Sequence, residues 1–236
     1  MSRTEQQDTF TGRDIDFEEL YERGQMRPDQ PETIGTGLPW DIGVVQPAVA
    51  GLESAGRFGG EVLDLGCGAG NNGFFLVDRG YRVTGVDVVA SAIELARTRS
   101  GGRAMKFAVA DATDLAGYEE QFDSVLDSMV HHVLDPAQRA AHAQALFRVT
   151  RPGGLLNLLT FTDAMNGTLA GLGVPEDELR AGITAAGWTI TSLEPGDYLV
   201  VAGTMLAGLR SMDPVPEVNE AGWARLPIWV LQATRP

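Results

Sequence analysis

The segment Val62-Leu-Asp-Leu-Gly-Cys-Gly-Ala-Gly-Asn-Asn-Gly73 constrains the fold more than any other part of the chain. An apolar run of strand length, Val62–Leu65, is closed by Gly66. Glycines recur at Gly68 and Gly70, and a helical stretch, Gly70–Arg79, then ends at Gly80. Glycine adopts backbone angles that other residues avoid, and it lets a ligand lie directly against the main chain. Strand, glycine turn and helix in that order open an α/β sheet, which binds ligands at the carboxyl edge of its strands. The turn alone leaves the ligand open, because Gly68-Ala-Gly-Asn-Asn-Gly73 also satisfies the dinucleotide pattern G-x-G-x-x-G.

The rest of the chain continues the alternation. Further strands are predicted at Arg82–Val86, Ala104–Val109, Phe122–Asp127, Leu155–Phe161, Trp188–Leu193 and Pro227–Ala233. Helices are predicted at Asp16–Arg23, from Pro47 to Gly56, and at Ala90–Arg99, Pro136–Thr150 and Pro175–Ala186. His142 falls in the middle of the helix Pro136–Thr150 and reads as a surface residue. Alternating elements of this length predict a doubly wound, mostly parallel, seven-stranded α/β sheet. Residues 1–45, polar and broken by Pro28, Pro31, Gly35, Gly37 and Pro39, read as a cap or lid ahead of a ligand-binding domain at 46–236. Insertions near 163–175 and 203–226 fall on the same edge as the glycines.

Charge and composition narrow the partners. Thirty-two Asp and Glu against eighteen Lys and Arg give a net charge of −14, which argues against nucleic acid and anionic membranes. The longest stretches without a charged residue, Leu65–Val77 and Ala181–Leu193, are 13 residues each, too short to span a bilayer. With a polar N-terminus and one cysteine, Cys67, the chain reads as cytoplasmic, without a disulfide or a cysteine-based metal cage. Nothing in it fixes an oligomeric state.

Three acids separate the possible ligands. Asp64 lies within the first strand, Asp87 ends the second, and Asp111 follows the third. Carboxylates gathered around a helix N-terminus disfavour a pyrophosphate and suit a ligand with a positive charge, an amino group and a ribose diol. At this point the chain resembles the class I S-adenosylmethionine-dependent methyltransferases. The resemblance rests on Asp64-Leu-Gly-Cys-Gly-Ala-Gly, Asp87, Asp111-Ala112, Phe122-Asp-Ser-Val-Leu-Asp127 and Arg151-Pro-Gly-Gly-Leu155, in the family's order over about 62–163. It implies S-adenosyl-L-methionine as cofactor. Gly66, Cys67, Gly68 and Gly70 would lie against its methionine part, with Asp64 near the ammonium. Asp87 would take the ribose hydroxyls and Asp111 the adenine amine, with Val88 and Ala112 along the adenine face. Asp127, at the end of strand four, would also border the cofactor.

The acceptor side is less regular. Trp40-Asp-Ile-Gly-Val-Val-Gln-Pro47 is similar to a Trp-Asp-x-Gly-x-x-Gln-Pro segment of thiopurine-type and heterocycle-detoxifying members, where the Trp borders cofactor and acceptor. Asp127-Ser-Met-Val-His-His132 fits that subgroup's Asp-Ser-x-x-x-His pattern, although an apolar residue usually stands where His131 does. The resemblance implies Asp127 and His132 as catalytic residues, with His132, of ordinary pKa about 6.5, as a general base. It implies a small-molecule acceptor, probed at O, N or S of an aromatic or heterocyclic ring, and no metal. Methylation of a natural-product intermediate, including at carbon, is the alternative, and a dinucleotide-dependent oxidoreductase a remote one.

Overall fold

The computed structural model describes residues 15–25, 37–167, 171–203, 209–210 and 212–236. The remaining parts of the expected cap and of the two acceptor-side insertions lie outside the described residues. The seven strands are β1 (Glu61–Leu65), β2 (Arg82–Asp87), β3 (Lys106–Val109), β4 (Phe122–Ser128), β5 (Thr150–Phe161), β6 (Thr189–Val201) and β7 (Trp223–Thr234). They form one sheet in the order β3-β2-β1-β4-β5-β7-β6. The first five are mutually parallel, while β7 runs antiparallel between β5 and β6.

Strand order reverses at β1, whose neighbours are β2 on one side and β4 on the other. That is the position where an open α/β sheet leaves a crevice at its carboxyl edge. The register Leu65↔Val86, Leu65↔Asp127 and Asp87↔Val109 brings the ends of β1 to β4 to one edge. The glycine turn therefore sits at the switch point with the strand-end acids around it.

The helices are α1 (Phe17–Gln25), α2 (Pro47–Ser54), α3 (Asn71–Asp78), α4 (Ala90–Arg99), α5 (Pro136–Val149) and α6 (Glu176–Ala185). Side chains alternate across the sheet, so successive residues feed two cores. Val62, Leu126, Leu159 and Ile228 pack with Val49, Leu52 and Leu76 of α2 and α3. Leu63, Leu65, Val125 and Leu158 pack with Leu146, Leu179 and Ile183 of α5 and α6. The start of α5 follows from its sequence: Pro136 occupies the first turn. Asp135 Oδ1 accepts the Gln138 N–H at 2.9 Å, and Gln138 returns the bond to the Asp135 N–H at 3.0 Å.

β6 and β7 are longer than the sequence predicts. The predicted strand Trp188–Leu193 stops short of Pro195, yet Pro195 pairs with Trp229 inside β6. Proline is tolerated there because β6 is the sheet's edge, where a missing N–H breaks no ladder on the outer side. That edge is partly covered by the segment before α2. Val201 N–H donates to the Pro39 carbonyl at 2.7 Å. The buried Gln46 amide donates to the Leu199 carbonyl at 2.9 Å and accepts the Leu199 N–H at 3.0 Å. Gln46 thus substitutes for a strand neighbour over one residue. Among the described residues, no helix is long and apolar enough to cross a membrane.

Gln46→Ala should cost about 2–6 kcal/mol, since two buried backbone groups of Leu199 lose their partners at roughly 1–3 kcal/mol each. Urea unfolding of the variant measures it; a midpoint matching the parent's would show that the Gln46 bonds are dispensable.

Candidate active site

The turn after β1 is built for close approach. Gly66 and Gly68 have φ of +64° and +52°, where a side chain is strained. A Cβ on Gly66 would meet Val130 Cγ2 at 2.2 Å, and one on Gly68 would meet the Tyr21 hydroxyl at 2.6 Å. Beneath the turn lies Asp64. Its carboxyl group is fully buried, and neither oxygen is hydrogen-bonded among the described residues. Burial pushes its pKa up to about 7; the nearby Gly73 N–H offsets part of that, and the Asp87 charge adds to it. An unpaired buried carboxyl group under a glycine cradle is complementary to a cationic group delivered by a ligand.

Asp87 closes the same turn. Its Oδ2 accepts the Gly68 N–H at 2.9 Å and its Oδ1 the Val89 N–H at 3.0 Å. Burial raises its pKa, and those backbone donors hold it down in part. Asp111 is exposed at the next strand end, where Oδ1 accepts both the N–H and the hydroxyl of Thr113 at 2.7 Å. Val88, the residue after Asp87, is 64% exposed, and Ala112, the residue after Asp111, is half-buried. The Cys67 thiol is buried and its pKa is driven well up, by burial first and then by Asp64 and Asp87. It is a small packing group at the turn, with Sγ at 3.0 Å from where a Cβ on Gly85 would lie.

The described part of the N-terminal region covers this site. Trp40 donates its indole N–H to the Tyr21 hydroxyl at 3.0 Å, and its ring lies 5.7 Å from that of Phe17. Tyr21 in turn lies against Gly68 and is buried, with its pKa well raised by burial and by Asp87. Glu18 accepts the Ser91 N–H at the start of α4 at 3.1 Å. Asp41 anchors the segment from below: it accepts from Asn71 Nδ2 at 2.6 Å and from Arg99 at 2.8 Å. Asn72 ties the same region to β4, accepting the Gln46 N–H at 3.1 Å and donating to Ser128 Oγ at 3.3 Å.

The end of β4 departs from expectation. Asp127 is fully buried, and its two oxygens are used inside the fold: Oδ1 accepts the Val130 N–H at 2.8 Å, and Oδ2 faces His142 Nε2 at 2.8 Å. This corrects the expected catalytic role of Asp127 and its place beside the cofactor, because its carboxylate shapes the turn rather than facing a ligand. Met129 follows with φ +78°, a strained geometry for a side-chain-bearing residue, and redirects the chain into the 3-10 turn His131–Val133. His142, expected at the surface, is fully buried. The buried residues of α5 are His142, Ala143, Ala145, Leu146 and Val149, so His142 joins the stripe that Ala145, Leu146 and Val149 mark.

His132 also differs from expectation. Its ring is buried 4.5 Å from Phe161, with Nδ1 unpartnered among the described residues. Burial and, to a lesser degree, Arg139 lower its pKa to about 3, so it is a neutral imidazole near pH 7 rather than a base titrating at 6.5. His131 is lowered well below its ordinary value by burial, then by His142, Arg139 and His132. Asp127, His131 and His142 each offer a ligand atom within 4.8 Å of the others. His142 Nδ1 is already committed to the Ala112 carbonyl at 3.0 Å, and a 2.8 Å Nε2–Oδ2 approach is the length of a hydrogen bond.

Several site residues were not singled out from the sequence. Tyr21, Asp41, Gln46, Asn71, Asn72, Ser128 and Tyr198 line or brace the same edge. Of these, Asp41 and Gln46 stand inside the Trp40–Pro47 motif, Asn71 and Asn72 inside the Val62–Gly73 segment and Ser128 inside the Asp-Ser-x-x-x-His pattern, which were the available signals. Tyr198 is buried with its pKa pushed up to about 12 by burial, tempered by hydrogen bonds to Ser128 and Gln46. Beyond the ends of β5 and β7 a cleft of about 530 Å³ is lined mainly by Ala164, Gly167, Met212, Pro214, Arg225 and Pro227.

Comparison with known proteins points the same way. Residues 62–154 match the family described as a methyltransferase domain. The chain is similar to 2-heptyl-1-hydroxyquinolin-4(1H)-one methyltransferase of Mycobacteroides abscessus, 31% identical over 228 residues that cover 93% of this chain and 96% of that protein. It is also similar to a solved structure described as converting a disulfide bond into a thioacetal group during echinomycin biosynthesis. The two are 32% identical with a TM-score of 0.75, and the match covers 93% of this chain and 90% of the other. The 1,6-didemethyltoxoflavin-N1-methyltransferase of Burkholderia thailandensis, solved with its substrate and S-adenosylhomocysteine, shares the fold at 22% identity and a TM-score of 0.61, covering 93% of this chain and 85% of that one.

Asp64→Asn tests the cost of the buried acid. A carboxyl group raised from 3.8 unfolded to about 7 folded contributes its stability below about pH 4 and loses it as pH rises to 7. The variant should therefore match the parent near pH 4 and gain up to about 4 kcal/mol over it by pH 8, at 1.36 kcal/mol per unit. Chemical unfolding at the two pH values measures this; equal stability at pH 8 would contradict the unpaired acid.

Proposed function

The chain belongs to the class I S-adenosylmethionine-dependent methyltransferases, and within that family we propose that it methylates an O, N or S atom of a small, flat heteroaromatic molecule that needs no strong base. S-adenosylmethionine, when bound, would supply an activated sulfonium methyl: a lone pair of the acceptor bonds to that methyl in line as its bond to sulfur breaks, with S-adenosylhomocysteine leaving. The residues present fit that cofactor: Asp64 is an unpaired buried acid under a glycine cradle, and Asp87, Asp111 and Val88 form an acidic and apolar row beside it. We assign Asp64 to the ammonium, the Gly66, Cys67, Gly68 and Gly70 segment to the methionine part, Asp87 to the ribose diol, and Asp111 with Val88 and Ala112 to adenine. Carboxylate oxygens that already accept one N–H keep lone pairs for further donors. Tyr21 and Trp40 roof the turn, and residues 1–45 would act with them as a cap that excludes water.

The observation that carries the choice of acceptor is His132. An alcohol must lose its proton to attack, and a group near pKa 7 is the effective acceptor of that proton. An imidazole at about 3, sealed against Phe161, cannot fill that role near neutral pH. The site suits a nucleophile that brings its own lone pair or ionises in water, such as an acidic hydroxyl on an N-heteroaromatic ring, a ring nitrogen or a thiol. The full-length similarity to a hydroxyquinolone methyltransferase supports that class. A second reading, modification of a natural-product intermediate at sulfur, is favoured by the similarity to the echinomycin-pathway protein. We place the enzyme in the cytoplasm, acting without nucleic-acid or membrane partners.

S-adenosylhomocysteine release at saturating S-adenosylmethionine, across N-hydroxyheterocycles, graded phenols, thiols and aliphatic alcohols, tests the reading. Turnover should be confined to self-ionising or lone-pair acceptors, with kcat following the acceptor's own pKa. His132→Gln should lower kcat by less than about tenfold, against the ~10²–10⁴ of a lost general base. Efficient methylation of an aliphatic alcohol, with an inflection near 6.5 that disappears in His132→Gln, would return His132 to the role of base.

A further inference from the structure

His142 is the one histidine whose two ring nitrogens are both committed. Nδ1 faces the Ala112 carbonyl at 3.0 Å and Nε2 faces Asp127 Oδ2 at 2.8 Å, with both side chains fully buried. A carbonyl only accepts, so Nδ1 carries a proton and donates it to Ala112. One further proton lies between Nε2 and Oδ2, because two bare acceptors would repel at that distance. Asp127 is itself fixed by the Val130 N–H at 2.8 Å. The result is a sealed bridge from the end of β4, through the inner face of α5, to the turn after β3.

That turn carries Asp111. Its other holds are the Ala110 N–H to the Asp87 carbonyl of β2 at 3.0 Å, Asp111 Oδ1 to Thr113, the Leu115 N–H back to the Asp111 carbonyl at 3.2 Å, and Arg148 of α5 donating to the Asp114 carbonyl. Arg148 holds the exposed end of the turn, and His142 is the buried side chain of α5 that reaches Ala112, next to Asp111. We propose that His142 is a positioning residue for the adenine end of the cofactor site. Its Nδ1–H holds Ala112 and thereby the carboxylate of Asp111, and Asp127, sharing the proton at Nε2, fixes the orientation of the ring. This inference rests on the assignment of Asp111 to the adenine amine.

Two amides separate the bonds. Asparagine at 142 places its NH2 where Nδ1 stands and can donate to Ala112. Glutamine reaches as far as Nε2 and can serve Asp127 while leaving Ala112 without a donor. Affinities for S-adenosylhomocysteine and for its deaminated analogue S-inosylhomocysteine are measured by calorimetry on the full chain. The parent should prefer the amine by about tenfold or more, the scale of one charge-assisted hydrogen bond. Asp111→Ala should abolish that preference, His142→Gln should reduce it at least fivefold, and His142→Asn should keep it within about twofold. A His142→Gln protein that retains the preference while Asp111→Ala loses it overturns the inference alone. An Asp111→Ala protein that retains it overturns the adenine assignment and the inference together. Should either His142 variant fail to fold, histidine-labelled parent protein gives the same decision: the His142 Nδ1 resonance should move on adding adenosine but not inosine, and an unmoved resonance contradicts the proposal.

Discussion

The buried carboxyl group of Asp64 is the constraint on which the rest of the site depends. A carboxyl group without hydrogen-bond partners costs stability, and burial raises its pKa to about 7. A fold can keep such a residue where it holds the charge in reserve for a ligand. The glycines at 66, 68 and 70 add no side chains of their own above it, and the Asp87 carboxylate holds the turn by accepting the Gly68 N–H. What would be a defect in a core has a use here under the reading that a cationic ligand group settles against Asp64.

The second constraint is the segment before α2. Gln46 completes the outer edge of β6, and Asp41 joins Asn71 and Arg99 at the start of α3 and the end of α4. Trp40 can then meet Tyr21, and Tyr21 can lie over Gly68. The segment over the glycine turn is thus tied to the edge strand β6, and the Asn72–Ser128 hydrogen bond joins the start of α3 to the end of β4 in the same frame.

The parts legible in sequence were those written in local periodicity. The β1 turn, the acids Asp64, Asp87 and Asp111, and α4 at Ala90–Arg99 all follow from short-range pattern, and the structure places them as expected. The parts that were not legible depend on distant neighbours. Pro195 reads as a breaker until β6 is known to be an edge. His132 reads as a free imidazole until Phe161 of β5 and Arg139 of α5 close around it. His142 reads as a surface residue because it is polar and mid-helix, and the packing of α5 buries it beside Asp127. Asp127 stands at the strand end where the sequence puts it, and its pairing with His142, 15 residues away, is a contact that local pattern does not show.

The most direct measurement is the proton released when S-adenosylhomocysteine binds, from calorimetry in buffers of different ionisation enthalpy. If its ammonium settles against Asp64, the acid must ionise on binding. With a pKa of about 7 that releases about 0.9 proton at pH 6 and about 0.1 at pH 8, and Asp64→Asn abolishes the pH 6 release. Binding at pH 6 without proton release, or with a release that survives in Asp64→Asn, would contradict the account.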